Sequence, residues 1–251
     1  MPTRVTVIGL DGVPDVRPGD DLAALIEAAL AASGEALQDG DLLVVTHKIV
    51  SKAEGRVVEL ATVEPSDLAR RHAARFERDP RQIEVVLRES ARIVRMDRGL
   101  IIAETRHGFI CANAGVDASN VAGAEAVCLL PLDPDASAAR LRMALRERTG
   151  VDAPVIISDS FGRTWRAGIV NVAIGISGLA PLADYRGQDD PYGRTMHASI
   201  LAVADELACA AELAEGKIDR RPVALIRGYP FVRAEGSGRE MLRPPEQDLF
   251  R

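Results

Sequence analysis

Apolar residues recur along the chain with two spacings, the two-residue period of strands and the 3.6-residue period of helices. Alternating or continuous apolar runs predict strands at 3–9, 41–46, 92–96, 100–104, 109–112, 154–158, 169–177 and 222–226. Helical spacing, with capping residues before the helices and glycines after several of them, predicts helices at 20–33, 66–78, 79–90, 133–150 and 195–215. Because the two kinds of element follow each other without regular β–α–β alternation, the pattern favours an α+β fold.

The composition is that of a folded protein with more acidic than basic residues. The 251 residues include 31 Lys and Arg against 37 Asp and Glu, a formal net charge of −6, and only 4% are aromatic. Such a chain has neither the basic face nor the stacking platform of nucleic-acid binders, so we expect no nucleic-acid partner. The longest apolar stretch, 169–183, is interrupted by polar residues and is too short to span a membrane, so we expect no membrane partner.

The cysteines and the N-terminus favour a cytoplasmic protein. Cys111, Cys128 and Cys209 are odd in number, widely spaced and without a CxxC motif, which argues against a disulfide framework or a cysteine zinc site. The N-terminal residues show no secretory signal. We expect one domain over 1–233, with a division into two subdomains left open, and a polar C-terminal tail over 234–251.

Familiar signatures are absent, since the sequence lacks GxxxxGK[ST], a helix-opening GxGxxG, HExxH and GxSxG. A nucleotide bound here would therefore not use a P-loop. Instead, three polar clusters stand where apolar strands end. The first contains His47, Lys48, Ser51 and Lys52. Its lysines can neutralise phosphate as point charges, and a solvated helix start is the plainer alternative.

The second cluster is CANAGVDASN at 111–120, whose small residues allow a tight turn. Asp117 is its only carboxylate, and Asn120 follows three residues later. Together they could hold a metal and a phosphate or base. An Asx turn or a helix cap explains the two residues nearly as well.

The third cluster is PVIISDSFGRTWRAG at 154–168, in which an apolar strand runs into Asp159 and Ser160. A carboxylate beside a hydroxyl suits Mg²⁺ or Mn²⁺, which take oxygen ligands. Arg163 and Arg166 supply forked donors for phosphate or carboxylate, and a salt-bridged turn is the alternative. The residues alone thus indicate a chemistry of metal-bridged polyphosphate without naming a substrate.

A family resemblance runs through these clusters. In this order, the segments GDLLVVTHKIVSKAEGR, CANAGVDASNV, LLPLDPDASAARLR, ISDSFGRTWRAG, NVAIGISGL, DPYGR and VALIRG resemble the coenzyme F-420 gamma-glutamyl ligases, the CofE family. The resemblance covers residues 5–230, and NAGVDASN and SDSFGR are its most specific parts.

The resemblance implies a GTP-dependent ligase. It would join L-glutamate to the lactyl carboxylate of the glutamate-free phosphodeazaflavin through an acyl phosphate, and then add further gamma-linked glutamates. The implied cofactors are two divalent ions, Mg²⁺ or Mn²⁺, and the monovalent cation K⁺. The implied fold is a mixed α+β fold in an intertwined homodimer, with the nucleotide near the interface.

The resemblance also implies site residues. Asp117 and Asp159 resemble ligands of a first metal, and Ser160 resembles a ligand of a second. A hypothesis for the mechanism adds Arg163, Arg166 and Lys52 as candidates for stabilising the remaining charge in the transition state. The positions that resemble nucleotide contacts are Val13, Pro14, Asp15, Val16, His47, Lys48, Lys52, Asn120, Glu215, Gly216 and Lys217.

Two positions depart from the family pattern. His47 stands where a small hydroxyl residue is expected, and Lys217 stands where some members have a glutamate that binds metal. A protonated lysine cannot coordinate Mg²⁺. Either Glu215 or water would then complete the second metal site, or Lys217 would contact phosphate directly.

Three other functions fit the same clusters. A metal-dependent phosphohydrolase would use the same acidic and basic groups without an amino acid. A gamma-glutamyl ligase could act on a different phosphorylated acceptor. A non-catalytic nucleotide-binding protein would bind GTP without forming a product.

Overall fold

Twelve strands and six α-helices form within residues 4–118 and 125–248, the parts of the chain that the structure, a computed structural model, describes. The strands are β1 Thr6–Gly9, β2 Leu42–Thr46, β3 Val57–Glu59, β4 Ser90–Asp97, β5 Leu100–Thr105, β6 Ile110–Ala112, β7 Ala126–Cys128, β8 Val155–Gly162, β9 Ile169–Ser177, β10 Ala183–Asp184, β11 Ile200–Leu201 and β12 Val223–Arg227. The helices are α1 Leu22–Ala32, α2 His47–Ala53, α3 Asp67–Phe76, α4 Pro80–Glu89, α5 Pro134–Thr149 and α6 Val203–Glu215. This mixture confirms the expected α+β class.

A five-stranded mixed sheet lies at the centre, in the order β1-β12-β2-β8-β9. Only β2 and β8 pair in parallel, and the other neighbours are antiparallel. Alternate side chains of β2 enter different cores, because successive residues of a strand point to opposite faces. Leu43 and Val45 pack with α1 and α5, whereas Leu42 and Val44 pack with α6. Helices therefore cover both faces of the sheet.

A second core lies beside the sheet, within the stretch between α2 and α5. There α3 and α4 pack on the three-stranded sheet β4-β5-β6, with Ile83, Val86 and Ile101 among the buried side chains. Strands β3 and β7 form a short two-stranded sheet, and Val58 and Val127 join the same core. A division of the chain into two subdomains, which the sequence left open, stays a prediction.

The predicted helix ends agree with the structure where a capping residue marks them. The side chains of Ser66, Asp79 and Asp133 accept backbone N–H groups at the starts of α3, α4 and α5. Gly150 ends α5 in the left-handed conformation, which glycine adopts without strain. Local chemistry is thus sufficient to place these boundaries.

The prediction of a helix from 195 was wrong at its start, because α6 begins at Val203. The backbone before it pairs across a hairpin instead: Tyr185 N–H donates to Ser199, Gly187 N–H donates to Met196, and β10 pairs with β11. Backbone groups used in this ladder cannot also form helical hydrogen bonds. Among the described residues, no helix combines the length and the apolar character needed to cross a membrane.

Candidate active site

A cavity of about 680 Å³ opens at the edge of the central sheet where β2 ends. There α2 begins directly at His47, and the parallel neighbour β8 pairs its Ser158 with Thr46, the last residue of β2. The loop after β1 and the loop between α6 and β12 complete the wall. Segments that are far apart in the chain thus meet at one edge, as expected for a ligand site.

Most of the residues predicted for the site lie on this cavity wall. They are Val13, Pro14, Asp15, Val16, His47, Lys48, Lys52, Asp117, Asp159, Ser160, Glu215, Gly216 and Lys217. Asn120 lies outside the described residues. Arg163 and Arg166 are exposed in the turn between β8 and β9 and are not part of the wall, and Arg163 donates to the Ala167 carbonyl at 3.1 Å.

The prediction that the strand ends at 158 was wrong, because β8 continues to Gly162. The reason is β9, which pairs with β8 along its whole length and opposes Val172 to Asp159 and Asn171 to Ser160. Asp159 and Ser160 nevertheless lie beyond the end of β2. Asp159 therefore faces the start of α2 from a strand, and the pairing with β9 holds the backbone of both residues more firmly than a free turn would.

Two lysines of α2 are held by carboxylates at the cavity. Lys48 Nζ lies 2.7 Å from Asp117 Oδ2, and Lys52 Nζ lies 2.8 Å from Asp15 Oδ1. The hydrogen bond and the charge of Lys52 lower the pKa of Asp15 below its ordinary value. These pairs place two ammonium groups where a polyphosphate would need positive charge.

His47 is buried, with 2% of its surface exposed, and its ring lies between Asp159 and Ser51. Its Nε2 is 3.2 Å from Asp159 Oδ1, and its Nδ1 is 3.4 Å from Ser51 Oγ. The Nε2 contact does not have the alignment of a hydrogen bond within the described structure, so it is a close packing contact. The ring therefore restricts where the Asp159 carboxylate can lie.

A polar network on the opposite wall joins β8, β9 and the end of α6. Lys217 Nζ donates to Ser160 Oγ at 2.8 Å, and Ser160 Oγ donates to Asn171 Oδ1 at 2.7 Å. Lys217 Nζ also lies 3.6 Å from Glu212 Oε1, whose other oxygen accepts the Asn171 backbone N–H. Asn171 and Glu212 were not among the predicted site residues. The available signal for Asn171 was its position as a polar residue within an apolar strand.

Gly216 brings Lys217 back to this network. It ends α6 with φ 65° and ψ 179°, a backbone conformation that is essentially restricted to glycine. A Cβ atom at this position would lie 1.9 Å from Asp219 Oδ2. The turn after α6 therefore depends on glycine.

Glu215 is the most deeply buried carboxylate of the wall, with 2% of its surface exposed. Its Oε2 accepts from Asn171 Nδ2 at 3.4 Å, whereas its Oε1 has no hydrogen-bond partner among the described residues. The pKa of Glu215 is raised to about 8, mainly by burial and also by the charge of Glu212, whereas the charge of Lys217 opposes the shift. The group can therefore hold a proton near neutral pH.

Comparison with known proteins assigns the chain to a family. The family model of the F420-0:gamma-glutamyl ligases matches residues 12–228. The chain belongs to this family. The resemblance predicted from the sequence motifs is therefore confirmed.

Curated relatives of the ligase family align over nearly the whole chain. The chain is 47% identical over 250 residues to the coenzyme F420:L-glutamate ligase of Methanothermobacter thermautotrophicus, covering 98% of this chain and 99% of the relative. Relatives of the same name from Methanopyrus kandleri and Methanocaldococcus jannaschii are 49% and 39% identical over 241 and 249 residues. These alignments cover 94% and 99% of this chain, and 93% and 97% of the respective relatives.

The carboxylates on the cavity wall fit a divalent cation. Within the described ranges, no three carboxylate, imidazole or thiol groups are placed to hold a metal together. Mg²⁺ is commonly held by one or two carboxylates together with substrate phosphates, and Asp117 and Asp159 on the same wall fit that pattern. Ser160 Oγ, predicted as a ligand of a second metal, accepts from the Lys217 ammonium at 2.8 Å, much as Asp117 Oδ2 lies 2.7 Å from the Lys48 ammonium. The role of Ser160 as a metal ligand stays a prediction.

Proposed function

We propose that this protein joins L-glutamate to the glutamate-free F420 precursor, with GTP as the phosphoryl donor and GDP as a product. The observation that supports this most strongly is the convergence of Lys48, Lys52, Asp117 and Asp159 on one cavity, in a chain that belongs to the F420-0:gamma-glutamyl ligase family. Cations and carboxylates together are what a triphosphate with a divalent ion requires.

In the first proposed step, a carboxylate oxygen of the precursor attacks the gamma phosphorus of GTP. The new oxygen–phosphorus bond forms as the bond to the bridging oxygen of GDP breaks, which yields an acyl phosphate. The amine of L-glutamate then attacks the acyl carbon, the bond to phosphate oxygen breaks, and inorganic phosphate leaves. The amine loses its proton, and an amide remains.

The residues of the chain bind and orient the reactants in this scheme. Lys48 and Lys52 reach the phosphates from α2, and the loop at 13–16 contacts the nucleotide. Asp117 and Asp159 would hold Mg²⁺ or Mn²⁺, which offsets charge developing on the phosphate oxygens. His47 keeps the Asp159 carboxylate directed toward the cavity.

The proposal extends to K⁺ as a monovalent cofactor, to the addition of further gamma-linked glutamates, to a cytoplasmic location and to a homodimer. What supports the homodimer is the group of exposed apolar side chains around the β10–β11 hairpin, including Tyr185, Tyr192, Ile200 and Leu201. Sedimentation velocity of the full chain tests this part, because a monomer across the accessible concentrations would contradict it.

Mass spectrometry of the deazaflavin product tests the reaction. The protein is incubated with the glutamate-free precursor, GTP, Mn²⁺ and L-glutamate, and the expected product gains one or more glutamyl units. GTP turnover is measured in parallel with each substrate omitted. Phosphate release that needs neither glutamate nor acceptor would indicate a phosphohydrolase, and GTP binding without turnover would indicate a non-catalytic protein. Glutamylation of only another phosphorylated acceptor would change the substrate.

A further inference from the structure

Lysine is confined to the cavity in this protein. The chain has three lysines among its 31 Lys and Arg residues, and all three, Lys48, Lys52 and Lys217, line the cavity wall. Every other residue of this basic group is an arginine. A lysine carries a compact point charge, whereas an arginine carries a planar fork. The lysine ammonium groups therefore all stand where the fold gathers oxygen atoms around a ligand-sized space.

Lys217 differs from the other two lysines in what surrounds it. Lys48 and Lys52 reach the cavity from α2, and each lies against an aspartate. Lys217 reaches it from the loop after α6 and contacts the Ser160 hydroxyl and the Glu212 carboxylate. Its ammonium thus occupies an oxygen-lined corner in which a metal cation could otherwise be bound.

We propose that Lys217 is a built-in cation of the nucleotide site, so that the protein binds one divalent cation per nucleotide, at Asp117 and Asp159. This inference rests on the proposed function. A divalent ion on Ser160 would share that oxygen with an ammonium 2.8 Å away, and like charges so close repel strongly. Asp117 also contacts an ammonium, with Lys48 Nζ 2.7 Å from its Oδ2, but its carboxylate carries a negative charge and has a second oxygen, whereas the Ser160 hydroxyl is neutral and has a single oxygen. Lys217 instead supplies positive charge to the phosphates directly and needs no metal for it.

Counting bound Mn²⁺ tests the inference without measuring turnover. The full-length protein is titrated with Mn²⁺ in the presence of a GTP analogue that has NH in place of the bridging oxygen. Free Mn²⁺ is followed by electron paramagnetic resonance, and bound analogue is measured on the same samples. The variants are Lys217→Glu, which restores a carboxylate, and Lys217→Gln, which removes the charge only. Arg71→Glu on α3 is a matched charge reversal that lies outside the cavity wall.

We expect one Mn²⁺ per bound analogue for the native chain, for Lys217→Gln and for Arg71→Glu, and two for Lys217→Glu. Lys217→Gln should also bind the analogue about tenfold or more weakly, since a charge-assisted contact is lost. Lys217 is 61% exposed along its side chain, so these variants should fold, which circular dichroism checks. Two Mn²⁺ per bound analogue in the native chain, or one in Lys217→Glu, would overturn this inference and leave the proposed function standing. Failure of the native chain to bind the analogue at any Mn²⁺ concentration would instead refute the proposed function.

Discussion

Glu215→Gln should make the protein more stable at alkaline pH and leave it nearly unchanged at acidic pH. Glu215 is 2% exposed, and burial raises its pKa from 4.5 to about 8. Glutamine has nearly the same shape, can still accept from Asn171 Nδ2, and does not ionise. The substitution therefore removes the cost of burying a charge and little else.

The sign follows from proton binding in the two states. Below pH 4.5 the carboxyl is protonated in both the folded and the unfolded chain, so it has no effect on the pH dependence. Between pH 4.5 and about 8 the unfolded chain releases the proton and the folded chain retains it. The unfolded state then binds fewer protons, so stability falls as pH rises through this window. Above about pH 8 the carboxyl is ionised in both states, and the loss of stability is complete.

The pKa difference sets the upper limit of the effect. At about 1.4 kcal/mol for each pKa unit, the change from 4.5 to about 8 corresponds to at most about 5 kcal/mol. The gain for Glu215→Gln over the native chain should grow from near zero at pH 5 to at most this value at pH 9.

Urea unfolding at pH 5 to 9, in a chelator and without nucleotide, measures this gain. Glu206→Gln is the matched control, because Glu206 is an exposed carboxylate on the same helix. The control should follow the native curve at every pH. Parallel curves for Glu215→Gln and the native chain would show that burial does not keep Glu215 protonated, and the reasoning would be wrong.

Three further predictions concern the cavity. Asp159→Asn should lower turnover about 100-fold or more with an unchanged unfolding midpoint, since metal stabilisation is worth several kcal/mol; a fully active variant in the product assay would contradict the role of Asp159. Gly216→Ala should cost about 1–3 kcal/mol in urea unfolding, because φ 65° with ψ 179° strains any other residue; unchanged stability would mean that the turn rearranges freely. GTP with Mn²⁺ should protect Lys48, Lys52 and Lys217 from amine acylation, as measured by peptide mass spectrometry; equal labelling with and without GTP would show that the nucleotide does not bind in this cavity.

Part of the candidate site could be predicted from local sequence, because its residues stand in short polar runs after apolar strands. The segments 13–16 and 215–217 were predicted only from the family resemblance. His47, Lys48 and Lys52 follow β2, and Asp159 and Ser160 follow the buried half of β8. Helix ends could also be predicted where a side chain caps them, as Ser66 does for α3. These signals are local, and each needs only a few neighbouring residues.

The rest depended on contacts between distant segments. The start of α6 was misplaced because residues before it form backbone hydrogen bonds across a hairpin. Asn171 and Glu212 were missed because their roles arise from bonds to β8 and β9 that sequence spacing does not report. Arg163 and Arg166 were expected at the site, whereas the β8–β9 pairing leaves them in an exposed turn.

The sequence by itself determined the kinds of element, several of their ends, the chemical groups available for a phosphate site and the family to which the chain belongs. Only the tertiary structure decided that Lys217 lies against Ser160, that His47 packs on Asp159 and that Glu215 is buried. The physical reason is that propensity and capping act over a few residues, whereas burial and the pairing of charges depend on which surfaces pack together.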